Sequence, residues 1–183
     1  MTNFSLALFF HFVGLIALFV GYGLEWIVSG FLRGATTTDQ ARAWLRVYRT
    51  SLPVSGPGLL VLILSGGYLA QVSGAMKNGW MSASLIAIFF ALIIGFLFIL
   101  PRVKAIRAAL PEGSAPLPEN ATALLRAPGL PTLIRVRAML ALGIVYLMTA
   151  KPDTFFSSLL VLGAAIVLAL LASAPTFAKS KSA

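Results

Sequence analysis

One histidine, His11, lies inside an apolar run, and one acid, Glu25, follows it in the same run. Ionisable groups cost free energy inside a bilayer and are kept where they bind a ligand, carry a proton or hold helices together. A neutral imidazole can ligate haem iron, and Met148 offers a thioether suited to the second axial position. The chain has no cysteine, which removes disulfides, thiol catalysis, cysteine-ligated iron-sulfur clusters and covalent c-type haem attachment. With a single histidine there is no multi-ligand metal set, so no metal site is expected. The remaining acids, Asp39, Glu112, Glu119 and Asp153, fall in loops or at helix starts, so no carboxylate pair is set up for acid-base work. Gly21 and Gly23 are followed by Trp26 where a dinucleotide loop needs its third glycine. These absences point away from an enzyme. They leave His11 three roles: a packing hydrogen bond, a contact to haem or quinone, or a station on a proton or ion path.

The element that positions His11 is the run 4–28. About 25 residues at 1.5 Å each give roughly 37 Å, enough to cross a hydrocarbon core of about 30 Å. On a 3.6-residue period His11, Gly14, Leu18, Gly21 and Glu25 share one stripe, flanked by Leu15 and Tyr22, while phenylalanines and branched residues cover much of the rest. The stripe is expected to face protein, with Gln71 of the second span joining it. Glu25, near the inner end, is expected either to pair with Arg135 or Arg137 or to reach the headgroups beside Trp26.

The rest of the chain repeats the pattern. Hydrophobic residues make up 59% and charged residues 10%, with mean hydropathy +0.95, against about a quarter charged in soluble domains. The sequence therefore predicts an all-α, polytopic transmembrane bundle forming one domain over 1–183, with five spans at about 4–28, 56–73, 80–100, 131–150 and 155–174. Between the first two, Thr37 and Gln40 have capping-box spacing. Ala41, Trp44, Leu45 and Tyr48 then oppose Arg42, Arg46 and Arg49, which predicts an amphipathic helix at about 38–50 lying on the membrane surface. Pro57 suits the first turn of the second span. The short link 73–79 predicts that the second and third spans are antiparallel neighbours. The third span, rich in Ile, Leu and Phe, is expected to face lipid more than the second and to end or kink at Pro101. Residues 101–130 read as a cytoplasmic loop with short interfacial helices, and 175–183 as a polar tail.

Net charge is +9, but the basic residues sit between apolar runs, so lipid rather than nucleic acid is the expected partner. Twelve of the fourteen Lys and Arg fall in the first loop, the third loop with its following helix start, and the tail. Lys77 and Lys151 alone occupy the opposite side. The positive-inside rule then puts the N-terminus outside and the C-terminus in the cytoplasm of a bacterial inner membrane. No Lys or Arg precedes Arg33, so the first run lacks the basic start of a cleaved signal peptide and is expected to persist.

Three passages, HFVGLIALFVGYG, SLPVSGPGLLVLILSGGYLA and YLMTAKPD, resemble in order and spacing a bacterial family of predicted integral membrane proteins of unknown function. That family is distantly similar to copper-resistance-D-type membrane domains and to membrane-bound protoporphyrinogen oxidases. The resemblance covers roughly 5–153, with the fifth span as an addition. It implies a small helical bundle, and its better-known relatives include haem binders with histidines on different helices. Only His11 carries over, and a second histidine is missing from this sequence. The leading expectation is a non-enzymatic membrane component, self-associating or part of a larger complex. The alternatives are a haem- or quinone-associated protein using His11, and a small transporter or ion pathway.

Overall fold

A computed structural model describes residues 2–112 and 116–181, with side chains followed to residue 177. Among the described residues the chain is helical, and its one β-type contact is an isolated bridge between Thr37 and Pro116. The order is α1 (Asn3–Gly34), α2 (Thr38–Arg49), α3 (Ser51–Val72), a short 3₁₀ turn (Ala75–Lys77), α4 (Gly79–Ile93), a π turn (Ile94–Ile99), α5 (Leu100–Ala109), α6 (Glu119–Arg126), α7 (Gly129–Ala150) and α8 (Phe155–Lys181). Five helical stretches are long and apolar enough to cross a membrane, as the hydropathy pattern predicts.

The helix ends differ from expectation for local reasons. α1 runs on to Gly34 because Val28, Leu32 and Ala35 enter a core of their own. α3 starts at Ser51 rather than 56. Pro53 lies in its first turn, where amide protons have no helical partner, and Pro57 forfeits one interior bond. Pro101 does not end the third span: the π turn before it re-routes the backbone, the Leu100 amide donating to the Gly95 carbonyl, and α5 continues beyond. α8 includes most of the stretch expected to be a polar tail. Ser173 and Thr176, which flank Pro175, are buried, and their hydroxyls donate to the carbonyls of Ala169 and Ser173. Residues 182–183 of that tail lie outside the described part.

α2 is the predicted amphipathic helix. Thr37 caps it by accepting from the Gln40 amide at 3.3 Å, while Gln40 Oε1 accepts from the amide and hydroxyl of Thr36. Its face of Thr38, Ala41, Leu45 and Tyr48 is buried, and Trp44 stacks on Phe31 at 4.3 Å. That face, the end of α1, α5, α6 and the start of α7 enclose one apolar core, a small cap at one end of the bundle.

Packing within the spans is paired. α1 packs chiefly on α3, and α7 on α8, with α4 against α7 and α8 and α1 touching α7. The third span is more enclosed than the second, contrary to expectation: Ala83, Ala87 and Ala91, one turn apart, let α4 approach its neighbours, and Trp80 is buried with them. The link between α3 and α4 is short, but the two helices lean on different partners, so a cleft remains between them. Two left-handed positions sit in the turns after α3 and α7, Gly74 at φ 71° and Lys151 at φ 46°, the latter closing α7.

Candidate functional site

The predicted stripe of α1 is the seam with α3. Its spacing is answered on α3 by Ser51, Ser55, Gly58, Leu62 and Ser65, small or apolar residues at alternating steps of four and three. The antiparallel register sets His11 beside Ser65, Gly14 against Gly58 and Leu62, and Gly21 against Ser51 and Ser55. A Cβ on Gly14 would come within 2.7 Å of the Gly58 carbonyl oxygen, and one on Gly58 within 2.7 Å of the Ala17 Cβ. In lipid, where apolar contact between helices has no hydrophobic drive, this backbone approach supplies dispersion contact that larger residues would block.

At one end of the seam His11 is half-buried, with Nδ1 3.3 Å from Ser65 Oγ and the ring edge over Gly66. The single Ser65 hydroxyl proton goes to the Val61 carbonyl at 2.6 Å. Nδ1 is therefore assigned as the donor, and the Nε2 lone pair is left to accept or ligate. Gln71 is exposed one and a half turns beyond, so Ser65 takes the place expected of it. Met148 packs with the α4, α7 and α8 core, in a different group from His11.

Toward the other end Glu25 is 4% exposed and pairs with Arg137, which reaches it from α7. The Arg137 guanidinium also lies over the Tyr22 ring, 4.4 Å from its centroid. Ser51 Oγ divides its proton between the Tyr48 carbonyl at 2.7 Å and Glu25 Oε1 at 3.2 Å. Room for the guanidinium comes from Gly95 in the π turn, where an added Cβ would stand 2.8 Å from Arg137 Nη1. Arg135, two residues earlier and so on another face, turns away and sits over Trp26 at 5.6 Å. Of the two partners expected for Glu25, Arg137 is the one the fold supplies. The pair neutralises both charges, so this end of the stripe is a closed contact rather than a free carboxylate.

The pair forms the back wall of the cleft between α3 and α4. This recess, about 140 Å³, is lined by Tyr22, Glu25, Tyr48, Ser51, Ser55 and Arg137 among apolar residues of both helices. It shares Leu18, Tyr22, Leu59, Ala91 and Leu92 with a narrower trough that runs toward Ile144 and Met148 and is almost wholly apolar. The result is a lateral groove with one polar end. Ser51, Ser55 and Gly95 were not singled out from the sequence, and Tyr48 only as part of the apolar face of α2, although the small-residue spacing of α3, complementary to that of α1, is the signal that marks Ser51 and Ser55. Among the described residues no group of three or more His, Asp or Glu side chains could hold a metal ion.

No curated protein and no solved structure matches the chain. A family model described as predicted integral membrane protein (DUF2269) matches residues 5–152, from α1 through α7 to the turn before α8. This interval holds the α1–α3 seam, the Glu25–Arg137 pair and the lateral groove, and the chain belongs to that family of predicted integral membrane proteins.

Proposed function

We propose that the protein is a non-catalytic component of a bacterial cytoplasmic membrane that holds an amphipathic, membrane-resident molecule in the groove between α3 and α4. The observation carrying this reading is the continuity of a mainly apolar recess, backed at one wall by Glu25 and Arg137, with an apolar trough through five shared residues. A headgroup rich in carbonyl or hydroxyl oxygens would meet Arg137, Ser51 and Tyr48, and a prenyl or acyl chain would follow Leu59 and Leu92. Entry is from the lipid side. The orientation proposed is N-terminus outside. It is supported by the basic first and third loops around the cap and by the two solitary lysines, Lys77 and Lys151, in the opposite turns.

The test is organic extraction of the protein purified in mild detergent, with mass spectrometry of the quinone, isoprenoid and phospholipid content. One species should be enriched over its share of the bulk membrane and depleted in Leu59→Trp and in Leu92→Trp, which fill the groove from opposite walls. An extract that mirrors the bulk membrane, or that neither variant alters, refutes the reading.

A second reading centres on His11 and rests on its free Nε2 lone pair. It requires a visible Soret band from haem-replete cells that disappears in His11→Ala.

A further inference from the structure

The acids of the described chain are few, and the buried one, Glu25, is taken by Arg137. A second group of arginines has no such partner among the described residues. At the capped end of the bundle Arg33 of α1, Arg126 of α6 and Arg135 of α7 line one open recess of about 550 Å³, closed on the far side by Pro175 and Thr176 of α8, and none of the described residues lining it is acidic. Like charges repel, and three guanidinium groups around one space cost energy unless something neutralises them.

The protein supplies orientation but not charge. Arg33 donates to the Ala127 carbonyl at 3.3 Å and to the Thr176 carbonyl at 3.1 Å, which fixes its planar fork at the rim. Arg135 is steadied by the Trp26 ring, yet its Nη1 is shut off from solvent with no hydrogen-bond partner among the described residues. What carries weight is the charge: three arginines line the recess, and no described acid lining it answers them. Arg126 is exposed at the mouth. Planar donors converging from three helices match the tetrahedral oxygens of a phosphoryl group.

We propose that this recess binds a phosphoryl anion, held by Arg135 inside and by Arg33 and Arg126 at the rim. At this level of the bundle two sources offer that chemistry, the headgroup of an anionic phospholipid and free phosphate. The site is separate from the α3–α4 groove: the two share no lining residue.

The experiment uses the full chain, delipidated in mild detergent, as wild type, Arg126→Gln and Arg135→Lys. Arg126→Gln alters an exposed side chain and leaves the packing intact. Retention of phosphatidylglycerol and phosphatidylcholine is measured by native mass spectrometry, and thermal unfolding is followed with inorganic phosphate against chloride at matched ionic strength. A lipid source gives preferential retention of phosphatidylglycerol that falls about tenfold in Arg126→Gln. A soluble source gives equal retention of the two lipids and a rise in wild-type Tm with phosphate that Arg126→Gln loses. Arg135→Lys, which keeps charge but not the fork, weakens whichever response is seen. Equal lipid retention with no phosphate response, or a preference that Arg126→Gln leaves untouched, overturns the proposal.

Discussion

The Arg137 guanidinium, entering from α7, meets the Glu25 carboxylate of α1 inside the span and ties the α1–α3 pair to the α4–α7–α8 group. Removing one member of a buried pair strands the other charge, a loss of about 3–5 kcal/mol in protein interiors. Glu25→Gln is expected to lower the thermal unfolding temperature in detergent sharply. The double variant Glu25→Gln/Arg137→Gln should recover part of that loss, because no charge is left unmatched. A double variant as unstable as the sum of the singles would show that the two do not act as a pair.

The π turn before Pro101 gives the same pair its space. Gly95→Leu should displace the guanidinium from its cradle and destabilise by about 1–3 kcal/mol. Combined with Glu25→Gln it should add little, since the contact it disturbs is already gone. Simple additivity of the two losses would separate Gly95 from the pair.

The α1–α3 seam predicts a contrast among glycines. Gly14→Val and Gly58→Val push against neighbouring backbone and are expected to lower stability by roughly 1–3 kcal/mol or to reduce the folded yield. Gly23→Ala and Gly67→Ala, where an added Cβ meets nothing within 4 Å, should be neutral or slightly stabilising through better helix propensity. Fluorescence-detected size exclusion after a heating series ranks all four.

Lys151 closes α7 at φ 46°, a conformation that costs an ordinary residue about 1 kcal/mol and a glycine almost nothing. Lys151→Gly should therefore raise stability slightly despite the lost side chain. An unfolding temperature below wild type would assign the lysine a contact that outweighs its backbone strain.

The cysteine-free sequence allows topology to be read from single introduced thiols. Lys77→Cys and Lys151→Cys should react with a membrane-impermeant maleimide in spheroplasts. Arg46→Cys and Glu119→Cys, at exposed positions of the cap, should react only after lysis. The reverse pattern would invert the proposed orientation.

Much of this architecture was legible in the sequence because hydropathy and helical period act locally. The five spans, the stripe from His11 to Glu25 and the amphipathic α2 need no knowledge of neighbours. What sequence alone left open depends on how separate helices are rotated and offset. Arg135 and Arg137 are two residues apart and point to different faces, so only the rotation of α7 decides which reaches Glu25. Gln71 and Ser65 differ by depth along α3, which the glycine contacts with α1 set. Proline misled for a related reason: it forbids one hydrogen bond, and the chain met that loss at Pro101 by widening a turn and at Pro53 and Pro57 by placing it where little is forfeited.

The wide turn at Ile94–Ile99 also fixes how the helix after it is aimed. Geometrically it behaves as one residue inserted into a regular helix, turning everything downstream by about 100°. That rotation is what brings Ile106 of α5 into the cap core while Arg102, Lys104 and Arg107 stay outside. A single-residue deletion at Leu97 would restore a regular helix and swing Ile106 out toward water. The turn thus works as a phase adjuster, letting one continuous rod present a lipid-facing surface in its first half and an aqueous-facing one in its second.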